Sequence, residues 1–165
     1  YLTERSMLRS AKTNTLQVSV LIAGVIYILI GAAFFYSPMD VFKIFVKNVS
    51  EIWAGEVRTN ELIAPMYHIL RAFSAMLVTS GILMIMPLFD PLKYRLMIWI
   101  NGVLFPFLSA LMLIKTGFAL VSRSENGVNY YHKSMLIFGF VFTFIFVICL
   151  ATLFITRKDA KAGKE

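Results

Sequence analysis

SMLIFGFVFTFIFVICLATLFI, residues 134–155, runs for 22 residues without a single charge. A helix rising ~1.5 Å per residue crosses the ~30 Å hydrocarbon core of a bilayer in about 20 residues, so this run is long enough to span one. Three further apolar runs of similar length precede it, at about 16–36, 65–88 and 96–114. In lipid a lone strand would leave its peptide groups without partners, so each run is expected to be helical. The expected fold is all-α, an integral membrane four-helix bundle occupying residues 1–165 as one domain.

Composition points the same way. Hydrophobic residues make up 59% of the chain, charged ones 15%, and mean hydropathy is +0.76; soluble domains average about 45–50% apolar and ~25% charged. With most of the chain spent on spans, little remains for a soluble catalytic module. No phosphate-cradling Walker loop, paired catalytic carboxylates, HExxH or nucleophile elbow occurs, so the reading is non-enzymatic. The single cysteine, Cys149, lies inside the fourth run; it forms no intrachain disulfide and reads as a small hydrophobe.

A net charge of +7 would suit nucleic acid, but the basic residues cluster at the ends of apolar runs. That placement is a membrane-orientation signal and argues against a nucleic-acid partner. One end of the bundle carries Arg5, Arg9, Lys12, Lys93, Arg95, Arg157, Lys158, Lys161 and Lys164; the other carries Lys43, Lys47, Arg58, Lys115, Arg123 and Lys133. The larger set predicts that both termini are cytoplasmic. The first run exceeds a signal-peptide core and lacks an A-x-A-like cleavage site, so it reads as an uncleaved signal-anchor.

The tight turn Phe89-Asp90-Pro91-Leu92 forces helices two and three into an antiparallel hairpin. Between helices one and two, DVFKIFVKNVSEIWAG (40–55) places Val41, Phe42, Phe45, Val49, Ile52 and Trp53 near one helical stripe. The expectation is a short interfacial amphipathic helix anchored by Trp53, with an ordered loop over the bundle mouth as the alternative. Asn48-Val49-Ser50 within it fits the N-glycosylation pattern, a tripeptide common by chance.

Ionisable groups inside spans are costly and therefore candidate functional residues. Arg71 lies near the start of helix two; it reads either as a snorkelling or paired arginine, or as an anion-binding group for a lipid phosphate, a propionate or a carboxylate. Asp40, Glu61 and Glu125 are its candidate partners. His68, three residues earlier, shares its face, and His132 opens helix four at similar depth. Two histidines at one level are the geometry that holds a haem iron, so His68, Arg71 and His132 form a candidate haem or quinone site. Outer-end placement is shallow for haem, and the leading expectation is no cofactor. Two histidines without a Cys or acidic neighbour make no metal site.

Other polar and small residues read as packing devices. Asn101 is at matching depth with Thr79 and Ser80 and is expected to hydrogen-bond one of them, and Ser109 falls level with Ser74 and Arg71. Gly24 and Gly31 share a face of helix one; Gly139 and Thr143 give a small-xxx-small spacing on helix four. Pro106 is expected to kink helix three. Phe138, Phe140, Phe142, Phe144, Phe146 and Phe154 cover nearly the whole circumference of helix four, more than one small bundle can bury, so part of that surface must face lipid, a pigment, a quinone or another subunit.

The run LIAGVIYILIGAAFFYSPMDVFKIF (21–45) followed by YHILRAFSAMLVTSGILMI (67–85) resembles the opening of the DoxX-like group of small four-helix bacterial membrane proteins. The likeness lies in a Gly-rich first helix ending at a proline, an amphipathic segment, and a second helix with an Arg-Ala pair, here Arg71-Ala72. Ser74 and Ala75 stand where that pattern has a glycine. The resemblance covers about half the chain and implies a four-helix fold in a bacterial inner membrane, with no shared activity to assign to named residues. The expected function is that of an accessory or scaffold subunit packed on lipids, on other membrane subunits or on its own copies; the alternative is the haem- or quinone-binding electron-transfer bundle.

Overall fold

The computed structural model describes residues 11–38, 40–41, 61, 63–122 and 131–157. Most of these residues are helical, and there is no strand among them. Helix α1 spans Ala11–Tyr36 and α2 spans Ile63–Ile85, closed by a 3-10 turn at Met86–Leu88. The third rod is composite: a short α3 (Arg95–Ile98), a π-helical stretch (Trp99–Leu104) and α4 (Phe105–Ser122). Helix α5 spans Tyr131–Ile155. Four of the described segments are long and apolar enough to cross a membrane: Thr13–Tyr36, His68–Leu88, Arg95–Ala119 and Lys133–Ile155. The third helix runs to Ser122, beyond the expected end near 114, because an apolar stretch with Gly117, Phe118 and Ala119 follows the exposed Lys115. The expected interfacial helix between α1 and α2, with its Asn48-Val49-Ser50 tripeptide, falls on residues outside the described ones.

Two close helix pairs build the bundle. In the first, α1 and α2 run antiparallel with glycine backbones in contact. A Cβ placed on Gly81 would come within 2.7 Å of the Gly24 carbonyl oxygen, and one on Gly31 within 2.8 Å of the Ser74 oxygen and the Val78 nitrogen. Farther along the same seam, Gln17 donates from Nε2 to the Leu88 carbonyl at 2.5 Å. Positions 17, 24 and 31 therefore oppose 88, 81 and 74, a step of seven residues on both helices. Seven residues is two turns of a slightly underwound helix, the repeat that keeps one seam facing its partner.

The second pair is α4 with α5. Gly139 sits against Ile114, where a Cβ would meet Cγ1 at 2.6 Å, and Phe107 lies on Phe146 with ring centroids 5.3 Å apart. Positions 107 and 114 oppose 146 and 139, again in steps of seven. A thinner interface between α1 and α5 joins the pairs, while α2 and α4 form no comparable interface. Ser74 and Ser109 thus belong to helices that scarcely meet, and the polar pocket expected from their equal depth is not assembled.

At the centre, Tyr27 reaches from α1 to the third rod. Pro106 has no N–H, so the oxygen of Asn101, five residues before it, has no donor in the π register. The Phe105 N–H, its donor in an α register, goes instead to the Ile100 oxygen. Tyr27 donates its hydroxyl to the orphaned Asn101 oxygen at 2.7 Å. The Tyr27 ring meets Phe105 edge-on at 5.6 Å and Phe142 at 6.0 Å, and Phe105 meets Phe142 edge-on at 5.9 Å, so three helices share one aromatic node. Leu16, Val20, Ala23, Met84, Ile98, Ile145, Cys149 and Leu153 are fully buried in the core along with Tyr27. Cys149 lies on Gly102, whose missing side chain leaves room for it.

Buried and half-buried hydroxyls elsewhere are satisfied within their own helices. Ser19 donates to Thr15, Thr143 to Gly139, Thr152 to Ile148 and Thr156 to Thr152, each to the carbonyl four residues back. Such back-bonding hides a polar group without a partner from outside, which suits helices in an apolar solvent.

Gly81→Leu is expected to destabilise the bundle by about 1–3 kcal/mol through overpacking, measured by denaturant titration in detergent micelles, whereas Ala33→Leu on the exposed side of α1 changes little. Tyr27→Phe strands the Asn101 carbonyl and is expected to cost about 1–3 kcal/mol. Pro106→Ala returns an N–H to the helix, so in a double-mutant cycle the Tyr27→Phe penalty should shrink in the Pro106→Ala background; full additivity would refute the orphaned-carbonyl account.

Candidate functional site

The polar groups with chemical potential lie at opposite ends of the bundle. At the end where α2 begins, His68 is exposed and Arg71, just over two turns after Ile63, is half-buried. Ser74 donates its hydroxyl to the Arg71 carbonyl at 2.7 Å. Arg71 Nε is sealed from solvent without a hydrogen-bond acceptor, although Arg71 and His68 both engage other groups. His132 lies in the first turn of α5. Of the candidate partners for Arg71, Asp40 accepts a hydrogen bond from the Ser37 hydroxyl, Glu61 is exposed, and Glu125 falls outside the described residues. No group of three His, Cys, Asp or Glu side chains gathers among the described residues.

At the opposite end, where α1 begins and α5 stops, stands a more completely built site. A helix in apolar surroundings must find donors for its last carbonyls. Arg95, the first residue of α3, supplies them for α5: Nη2 donates to the Leu153 oxygen at 2.5 Å, and Nη1 approaches the Thr156 oxygen at 3.3 Å and its hydroxyl at 3.4 Å. A cation beside a helix C-terminus is also favoured by the helix dipole. The turn before α3 is held by Asp90, whose carboxylate accepts from the Lys93 N–H at 3.1 Å and whose carbonyl accepts from the Tyr94 N–H at 3.2 Å. Arg95 is thereby fixed at both backbone and guanidinium.

Beside it opens a cavity of about 320 Å³ lined by Arg95, Trp99, Leu153, Phe154 and Arg157. Trp99 and Phe154 meet edge-on at 6.5 Å and form its apolar wall. Arg157 is exposed, and its like charge repels that of Arg95 across the site. Among the described residues no carboxylate pairs with either guanidinium. The arrangement is a cationic mouth over an aromatic floor, chemistry suited to an anion carried on an apolar body.

The structure assigns different work to several residues than the sequence suggests. The hydrogen bond expected between Asn101 and Thr79 or Ser80 is not made: Thr79 donates to the Ala75 carbonyl of its own helix at 2.9 Å, and Asn101 is engaged through its backbone oxygen by Tyr27. Depth alone does not tell which neighbour a helix turns toward. Gly24 and Gly31 of α1 pack against α2, and Gly139 of α5 against α4, as close-packing positions; Gly81 and Gln17 complete the first seam, and the seven-residue spacing of Gln17, Gly24 and Gly31 is its visible signal. Arg95 counts in the sequence only toward charge asymmetry, and nothing local marks it as the cap of a helix that ends some sixty residues later.

Comparison of the chain with protein-family models, with curated proteins and with solved structures finds no match.

Arg95→Met is expected to cost about 1.5–3 kcal/mol, the range for hydrogen bonds to a charged group, and to accelerate amide exchange in the last turn of α5. Arg157→Met, at an exposed position without a hydrogen bond, should stay within about 0.5 kcal/mol of the parent. Equal losses would show that charge, and not carbonyl capping, governs this end.

Proposed function

We propose that the chain is a non-catalytic subunit of a multi-pass membrane assembly, a scaffold helix bundle of the DoxX-like kind in a bacterial inner membrane with both termini in the cytoplasm. The observation that carries this reading is the unequal burial of the four spans. Only 17% of the α2 span is buried, against 33%, 28% and 33% for the others. Its exposed Ile69, Phe73 and Met76 recur at i, i+4 and i+7, one continuous stripe. On the third rod, Leu104, Leu108 and Leu111 repeat the same spacing, all exposed.

Lipid tails satisfy an exposed apolar stripe, so hydrophobicity alone does not require a protein partner. Two stripes on helices that do not close on one another favour one, because a third helix laid between them gains packing on both sides. Phe140, Phe144 and Phe154 remain exposed on α5 and extend the apolar surface around the bundle. The partner chemistry is a transmembrane helix, from another subunit or from a second copy of the chain. The scarcity of buried cations and carboxylates along the spans argues against a solute path within one copy.

Extraction into native nanodiscs is the test. The chain is expected to migrate well above its 18.7 kDa monomer mass, with one membrane protein or a second copy in fixed stoichiometry, and Phe73→Ala combined with Met76→Ala should release that partner while circular dichroism stays helical. A helical monomer accompanied only by lipid overturns the proposal.

A further inference from the structure

We propose that the cavity between Arg95 and Arg157 binds the phosphate of an anionic glycerophospholipid headgroup. The inference rests on the membrane placement argued above and adds to it a specific lipid at a specific end of the bundle. Three features of the cavity converge on that ligand.

The first is charge. Two guanidiniums line one cavity without a carboxylate between them among the described residues, and like charges at one site are stabilised by an anion that accepts from both. Arg95 spends some of its five N–H groups on Leu153 and Thr156, which holds the fork in place and leaves others for a phosphate. Arg157 is exposed and supplies a second, adjustable fork.

The second is polarity in layers. Arginines stand at the rim, where the apolar spans give way to the charged ends of the chain, and Trp99 is one turn deeper in the third rod, with Phe154 beside it. A soluble anion has no use for that wall. A lipid does, because its phosphate meets the arginines while its glycerol and first methylenes lie on the indole and phenyl faces. The third is size: about 320 Å³ is at the low end for ligand pockets, room for a headgroup and not for whole acyl chains. The sequence after Arg157 continues with Lys158, Lys161 and Lys164, which adds long-range attraction for an anionic leaflet.

The chain has two tryptophans, so replacing Trp53 with Phe leaves Trp99 as the sole indole beside the cavity. In the Trp53→Phe protein reconstituted into phosphatidylcholine vesicles, Trp99 fluorescence is followed as phosphatidylglycerol with brominated acyl chains replaces the unbrominated lipid, and in parallel as brominated phosphatidylcholine does so. Half-maximal quenching is expected at roughly five-fold lower mole fraction for phosphatidylglycerol, the selectivity that about one basic residue near the surface provides. Arg157→Gln should bring the two curves together without loss of helical circular dichroism, and a large excess of inorganic phosphate, about 50 mM, should leave the parent's preference intact. Identical curves for the two lipids in the parent overturn the lipid site while upholding membrane insertion; no quenching by either lipid overturns the membrane placement itself. Loss of the preference in inorganic phosphate shows that the site takes the free anion and overturns the lipid assignment.

Discussion

The Tyr27 hydroxyl donates to the Asn101 carbonyl because Pro106 has no N–H to offer, and that one substitution of donor holds the middle of the bundle together. An unpaired peptide oxygen is costly in any apolar interior and most of all in lipid. Proline at this position therefore demands a partner from outside its own helix. The partner must come from across the bundle, which draws α1 toward a rod it otherwise barely touches. The phenol then brings its ring against Phe105 and Phe142, so a hydrogen bond fixes the registration of three helices and aromatic packing consolidates it.

The same demand recurs at the helix ends. The 3-10 turn that closes α2 leaves the Leu88 carbonyl to Gln17, and the end of α5 leaves those of Leu153 and Thr156 to Arg95. In each case a polar side chain near the start of one helix caps the end of its neighbour. Antiparallel packing brings starts and ends together, so the polar groups that look like exceptions in apolar runs are the ones the topology requires. Glycine does complementary work along the seams: Gly24, Gly31 and Gly81 let α1 and α2 approach until backbone meets backbone.

This division explains which parts of the molecule can be read from the chain alone. Run length and the absence of charge specify four helices, since both are properties of contiguous residues. Gly24 and Gly31 stand out for the same reason, being seven apart in one run. The partners of Asn101 and Arg95 are not contiguous with them, and equal depth across a membrane admits several neighbours. Thr79 and Ser80 lie at a plausible level for Asn101, but helix rotation places Tyr27 there instead. The π-helical stretch is similarly hidden: Pro106 announces a disturbance, whereas the widened turn that absorbs it, with Gly102 laid against Cys149, depends on what packs from α5. The cavity at Arg95 and Arg157 joins residues from two helices whose proximity no local pattern encodes.

The two ends of the bundle consequently differ in kind, not just in charge. Near Arg71 a cation lies along the α2 flank, and its Ser74 neighbour turns its hydroxyl back on the helix itself. Near Arg95 the guanidinium is already organised by three acceptors and is backed by an aromatic wall. Preorganisation reduces the side-chain ordering that binding would otherwise require. A cation that must stay in place to cap α5 is therefore a ready anchor for an anion. In this bundle the structural role of Arg95 is what makes a binding role physically available, because capping a helix and fixing an anion call for the same rigid fork.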